Sequence, residues 1–578
     1  MSKRIVIVGG VAAGATAAAK ARRTIEQAEI VLLEAGPHVS FATCGLPYYV
    51  GGEIANRDGL FVVTPGTFRR RLNIDLRPST KAVSVSPSER TVTVAGKSGR
   101  SEPLTYDRLI LATGAVPIAP PIEGLEGPNV FTCRNVGDAD AILERIGQLT
   151  TDPSPAEGQT AGRALIIGGG YVGLECAEQL LRRGFGVTVA ELMDQLMGPL
   201  DPEMALPIQL ALEQAGAEVI LNDGVARIER DADGRATAAV LQGGRRVGFD
   251  LAVVALGVRP NVSLAEAAGL KLGPTGAVAV DARQRTSDPA IYAAGDNCES
   301  IFLPTGRPAN IALAGPANKQ GRVAGANAAL DLAGADEDDP LRLSYAGTLG
   351  TAVVRVRQTV AAMTGLSEKL ARSEGIDAAI TYAPGASHAG YYPGAEEMLI
   401  KLIYAPASGS LLGAQVVGGD GVDKRIDVLA TAILAGMTVE DLEQLDLGYS
   451  PPLGSSRDVV IQAGSVASNA RRGIAPAIGP AELLDELAGK TPPLVLDVRS
   501  RGEYDGGHLP DALHIPIEEL RRRIAEVPAD RPVVVHCSKG YRSYLAQQVL
   551  RHHGRGNVRN LLGGFSLLAQ VSTLRNEH

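Results

Sequence analysis

Two of the five cysteines, Cys44 and Cys537, stand where a thiol could do chemistry. Cys44 lies in "VSFATCGLPYYVGG", residues 39–52, among aromatics, glycines and a proline, with Ser40 four positions before it and Tyr49 five after. A thiolate there can attack a sulfur, accept a sulfane sulfur, or be oxidised by peroxide to a sulfenic acid. Cys537 follows the apolar strand "RPVVVH" and precedes the helix "YLAQQVLRHH". The loop Cys537, Ser538, Lys539, Gly540, Tyr541, Arg542 would curl its N–H groups and the helix N-terminus around the sulfur and favour the thiolate. Arg542 and Lys539 add positive charge. Cys133, Cys176 and Cys298 have no such cationic cradle and read as packing residues. No C-x2-C pair occurs, so no metal site and no disulfide framework are expected.

Elements able to position these thiols follow from the apolar runs. "RIVIVGGVAAG" reads as a strand and a glycine turn, followed by the helix "ATAAAKARR" and the strand "EIVLLE". This is a βαβ unit with Glu34 twenty residues beyond Gly14, where an acid meets a ribose hydroxyl. Gly9 and Gly14 fit G-x-G-x-x-G, and Val11 takes the middle glycine's place. A second unit starts at "ALIIGGGYVG" with the full motif through Gly168, Gly170 and Gly173 and ends at Glu191. Its helix start would hold a pyrophosphate, and the glutamate favours NADH over NADPH. "LILATGAVP", "VVALGVRPN" and "IYAAGDNCE" are short strands ending in small residues, suited to close approach by a cofactor.

The chain has 578 residues, enough for three to five domains at about 150 residues each. Its 45% hydrophobic and 21% charged content is that of a globular protein, and a net charge of −8 gives no basic field for nucleic acid or anionic membrane. No apolar run reaches the roughly 18 residues of a membrane span, and the N-terminus lacks the apolar core of a secretion signal. Scattered cysteines fit a reducing cytoplasm.

Residues 1–465 resemble the flavoprotein reductases with two dinucleotide-binding domains. The resemblance implies an α/β fold with two Rossmann-like domains and an α+β dimerisation domain. FAD would lie against Gly9, Gly10, Ala12, Ala13, Gly14, Glu34, Thr113, Gly114 and Asp296. NADH, or alternatively NADPH, would lie against Gly168, Gly170, Tyr171, Val172, Gly173 and Glu191. "SFATCGLPYY" is similar to the single-cysteine branch, which holds coenzyme A disulfide reductases, NADH peroxidases and NADH oxidases. In the first of these, coenzyme A supplies the second thiol through a mixed disulfide. The peroxidases carry a histidine where Ala12 stands here. Lys20, Arg23, Ser40, Thr43 and Arg457 match coenzyme-contact positions, and Lys20 and Arg23 share one helix face. Asn318 stands where some relatives use histidine. Tyr391 and Tyr449 match tyrosines that reach the cysteine from the partner subunit of a homodimer.

The tail resembles the rhodanese sulfurtransferases, with Asp497, Arg499 and His508 as its framework and Phe565 where many carry tryptophan. Its C-x4-R loop is tighter than the C-x5-R loop of related phosphatases, so sulfur is the expected cargo. The expected layout is an FAD-binding domain over 1–150 and 281–335, an NAD(P)H-binding domain over 151–280, a dimerisation domain over 341–465, a linker over 466–480 and a rhodanese-like domain over 481–578. The expected activity is an NAD(P)H reductase of coenzyme A persulfide, polysulfide and coenzyme A disulfide. The rival is an NADH oxidase or peroxidase cycling Cys44 through a sulfenic acid.

Overall fold

The computed structural model describes residues 3–97, 99–150 and 160–576. They form two compact units, Met1–Met193 with Ala215–Gly350, and Asp194–Gln214 with Thr351–His578.

The first unit is built on two five-stranded parallel sheets. In one, β1 (Arg4–Val8) leads through the glycine turn into α1 (Ala12–Thr24) and back to β2 (Glu29–Leu33). Arg108–Leu111, Ile291–Ala293 and Asp75–Arg77 complete this sheet. Cys44 follows in a short turn before α2 (Leu46–Gly51), and α3 (Val136–Leu149) comes after the strand Val130–Phe131. The second sheet holds β3 (Arg163–Ile167), α4 (Tyr171–Arg182) behind its own glycine turn, and β4 (Gly186–Ala190).

The two turns are built alike. Gly9 and Gly168 both have φ +104°, and a Cβ on either would stand 2.0 and 2.5 Å from the carbonyl oxygens of Ala112 and Ala255. A Cβ on Gly14 or Gly173 would come within 1.8 or 2.0 Å of the Gly9 or Gly168 oxygen, so each helix can lie hard against its own turn. After the second sheet, α5 (Ala314–Ala333) packs on α1. Gly321 and Gly325 of α5 lie against Ala13 and Ala17, where a Cβ would reach within 2.2 and 2.3 Å of backbone oxygen. This close seam explains the alanine-rich face of α1.

The second unit contains a five-stranded antiparallel sheet around β5 (Glu397–Tyr404), covered by the helices Val422–Leu434 and α6 (Val459–Arg471). The helix Pro202–Gln214 packs on the same sheet. Asp201 and Glu203 reach the fully buried Lys401 of β5 at 2.9 and 2.5 Å, and Glu368 joins them at 2.6 Å. Burial raises the Asp201 carboxyl, but Lys401 and the N–H groups of residues 368 and 369 outweigh it and hold the group below its ordinary range. A five-stranded parallel sheet follows, with β6 (Val533–His536) at its centre and α7 (Tyr541–His552) after it.

The expected linker over 466–480 is corrected by the structure. Its first part is the end of α6, capped at the start by Asp458 accepting from the Val460 N–H at 3.1 Å. Ala477–Ile478 is already a strand, paired with Asn560 and Leu561. Small residues here signal close packing of a helix: Ala467 and Ser468 are fully buried. No helix among the described residues is long and apolar enough to cross a membrane.

Candidate functional site

The glycine turns, Thr113–Gly114 and Asp296 all lie at the carboxyl ends of their strands, the edge where open α/β sheets bind ligands. Glu34 accepts from the Gly10 N–H at 2.8 Å and the Gly36 N–H at 2.7 Å. Glu191 does the same with Gly169 at 2.6 Å and Met193 at 2.9 Å. Each acid thus braces its own turn, and a carboxylate keeps lone pairs for a ribose hydroxyl as well. Burial pushes the Glu34 carboxyl up, opposed by these N–H groups. Ala12 and Ala13 open α1; Ala13 faces Gly295 and Gly321. Thr113 Oγ1 donates to the Asn261 carbonyl at 2.6 Å, and Asn261 N–H returns a bond to Gly114.

Gly170 is the informative glycine. Nothing in the protein lies within 4 Å of where its Cβ would stand, so protein packing does not require glycine there. A phosphate approaching the turn does. Tyr171 and Val172 begin α4; burial pushes the Tyr171 hydroxyl up to about 12, and Val172 is exposed. Each turn therefore has the shape that takes the phosphates of a bound nucleotide.

The Cys44 turn hangs from the first glycine loop. Ser40, buried and held at φ +49°, donates its N–H to the Gly10 carbonyl at 2.8 Å, and its own carbonyl accepts from Val62. Thr43 opens the turn and Cys44 itself is exposed. Burial first, then the Glu175 and Asp296 carboxylates, push the Cys44 thiol above its ordinary value, against the pull of Arg134. Arg134 pairs with Asp296 at 3.4 Å, and Tyr48, one turn beyond Cys44, donates to Glu175 at 3.1 Å. Glu175 and Arg134 carry no motif of their own in the sequence. The signal for Glu175 is its place on α4, one turn past Tyr171.

Lys20 is half-buried and Arg23 exposed on α1, and Arg23 Nε donates to the Ala19 carbonyl at 3.0 Å. Burial and then Arg322 of α5 and Arg23 push the Lys20 ammonium down, so three cations crowd one face. Asn318 accepts from Thr16 at 2.7 Å on the same helix pair.

In the second unit, the Tyr391 and Tyr449 hydroxyls meet at 2.6 Å on residues 75% and 48% exposed. The bond to Tyr449 raises the Tyr391 hydroxyl. Arg457 is exposed nearby in sequence, its carbonyl accepting from Gln462 at 2.6 Å.

Cys537, 2% exposed, closes β6. Its sulfur accepts from the Gly540 N–H at 3.1 Å and the Ser543 hydroxyl at 3.4 Å. Gly540, at φ +109°, turns the chain into α7. The cations of the loop do not stand free beside the sulfur as the sequence suggests. Arg542 forks onto Glu503 at 2.8 and 2.7 Å, with Ser538 donating to the same carboxylate at 2.6 Å. Lys539 rests on Glu397, and Tyr541 is exposed. Arg542 holds the Glu503 carboxyl far below its usual range. Asp497 and Arg499 form a buried ion pair at 2.6 Å under Phe565, whose ring lies 4.0 Å from the guanidinium carbon. His508 is exposed and stacks on Tyr504 at 3.8 Å. Cys133, Cys176 and Cys298 are buried, and the Cys133 and Cys176 thiols share a hydrogen bond.

Residues 3–321 match the family described as pyridine nucleotide-disulphide oxidoreductase, residues 351–459 its dimerisation domain, and residues 480–570 the rhodanese-like domain. A Methanocaldococcus jannaschii protein named NADH oxidase is 34% identical, with 78% of this chain and 95% of that protein aligned. The NAD(P)H coenzyme A polysulfide/persulfide reductase of Pyrococcus horikoshii is 32% identical over 80% of this chain and 97% of its own. The crystal structure of reduced Bacillus anthracis CoADR-RHD matches with a TM-score of 0.92 at 39% identity, covering 100% of this chain and 99% of that one.

Proposed function

The chain belongs to the pyridine nucleotide-disulphide oxidoreductases, and from that premise we propose that it reduces coenzyme A persulfide, polysulfide and coenzyme A disulfide at the expense of NAD(P)H. One observation carries the reading: two thiol sites of different construction, Cys44 and Cys537, occur in one chain, the second inside a rhodanese-like domain. The first glycine turn, Glu34, Thr113, Gly114 and Asp296 would hold FAD, which would supply electron transfer between nicotinamide and sulfur. The second turn, with Tyr171, Val172 and Glu191, holds the nicotinamide cofactor, and Glu191 favours NADH.

Cys44 is the nucleophile. Its thiolate attacks the inner sulfur of a coenzyme A persulfide, hydrosulfide leaves, and a Cys44–coenzyme A mixed disulfide forms. Two electrons from the nicotinamide then return the thiolate and the free coenzyme. Lys20 and Arg23, with Arg322 beside them, supply charge for the coenzyme's phosphates, Ser40 and Thr43 shape the approach, and Arg457 is a further contact. In a homodimer, Tyr391 and Tyr449 serve the partner subunit's Cys44, their paired hydroxyls giving a proton to the departing thiolate. Cys537 takes or presents sulfane sulfur within its loop of Ser538, Lys539, Gly540, Tyr541 and Arg542. The five free cysteines fit a reducing cytoplasm.

The oxidase reading has the M. jannaschii relative behind it. Ala12, lacking an acid–base side chain, weighs against peroxide chemistry there. The test is anaerobic NADH consumption with coenzyme A persulfide, set against peroxide and against oxygen, with mass spectrometry of Cys44 after oxidation. The reading expects a reductant-releasable coenzyme A adduct and persulfide as the faster substrate. A sulfenic acid on Cys44 with peroxide or oxygen faster overturns it.

A further inference from the structure

Every cation of the Cys537 loop is matched by a carboxylate. Arg542 is forked onto Glu503, and Ser538 lies between them, accepting from Arg542 at 3.1 Å. Lys539 rests on Glu397, which comes from β5 of the antiparallel sheet. Beneath the loop, Arg499 is paired with Asp497, and burial pushes the His536 imidazole down to about 4, so it is neutral at physiological pH. The sulfur accepts from the Gly540 N–H and the Ser543 hydroxyl, and the one guanidinium beside it, that of Arg542, is already neutralised by Glu503. On the first turns of α7, Tyr541 and Leu545 are 67% and 40% exposed and one turn apart, so the lip is aromatic and aliphatic. The mouth carries charge balance and an apolar rim, the reverse of an oxyanion trap.

We infer that this loop takes sulfane sulfur from an alkyl persulfide in preference to thiosulfate, and that Glu397 is a specificity-determining residue for it. The inference rests on Cys537 being the sulfur acceptor proposed above. The Cys537 thiolate attacks the outer sulfur of R–S–SH. A new S–S bond forms, the old one breaks, R–S⁻ leaves, and Cys537–S–SH retains the proton. Charge is −1 on both sides and no oxidant or reductant is needed. A thiosulfate dianion would bring two charges toward a thiolate with no unpaired cation in the loop to offset them. The exposed Lys539–Glu397 pair adds little to stability; its weight lies in the field at the mouth.

The test mixes the full-length, FAD-loaded Cys44→Ser protein with coenzyme A persulfide or with thiosulfate and follows the persulfide on Cys537 by peptide mass spectrometry. Persulfide loads about a hundredfold faster than thiosulfate. Glu397→Gln, at a side chain 76% exposed and so harmless to the fold, frees Lys539. It raises thiosulfate loading about tenfold, makes that rate fall with ionic strength, and leaves persulfide loading within about twofold. Equal loading from both donors, or a thiosulfate rate unmoved by Glu397→Gln, overturns the inference. Loading from neither donor overturns the assignment of Cys537 as acceptor, and the inference with it.

Discussion

Cys44 and Cys537 are the same functional group set in opposite surroundings. Cys44 opens to solvent on one side, and burial of the rest of its surroundings, followed by two carboxylates acting against one arginine, pushes its thiol up. Cys537 is nearly sealed and receives an N–H and an O–H on its sulfur. A thiol that must hold a persulfide between turnovers gains from fixed donors around its sulfur, with the Glu503-paired Arg542 guanidinium beside it. A thiol that must be released after each turnover gains from surroundings that do not trap the anion. The contrast separates storage from exchange.

Removing each sulfur separates the two roles most sharply. Cys44→Ser lowers NADH-dependent persulfide reduction by about 1,000-fold. Cys537→Ser leaves reduction of coenzyme A disulfide unchanged and slows polysulfide turnover. Parallel assays on the two substrates check this, and unchanged polysulfide turnover in Cys537→Ser breaks the link between the sites. Ser543→Ala deletes the O–H donor at 3.4 Å and slows sulfur loading of Cys537 about fivefold, a loss of about 1 kcal/mol. Stopped-flow loading rates read it.

The smallest effect concerns pH. Burial and the two carboxylates raise the Cys44 thiol, so its thiolate fraction climbs as pH rises toward that elevated value. Glu175→Gln lowers the thiol and moves the iodoacetamide alkylation profile to lower pH, with a rate at pH 7.5 about threefold higher. Arg134→Gln moves it the other way. A profile shifting in the same direction in both variants breaks the electrostatic account.

What the sequence made legible was local. A glycine turn announces itself because the demands at Gly9 and Gly14 come from neighbours fixed by the strand and helix on either side. The Cys537 loop is equally self-contained, its sulfur meeting Gly540 three residues on and Ser543 six on. The charges set around both thiols are not local. Glu175 arrives at Cys44 from α4, and Glu503 and Glu397 reach Arg542 and Lys539 across separations of 39 and 142 residues. No spacing rule registers such partners. The segment over 466–480 misled for another reason: small residues mark a flexible tether and a tightly packed helix equally well, and only the buried face of α6 decides.

The Lys401 cluster sets an order of assembly. Asp201 leaves the ribosome 167 residues before the Glu368 backbone it binds, and Glu203 leaves 198 residues before the Lys401 ammonium. At ordinary translation rates that is an interval on the order of ten to forty seconds. Through it the Pro202–Gln214 helix has no sheet to cover its apolar side, and its acids stay in water. The nascent chain therefore carries this helix without its sheet until β5 has been made.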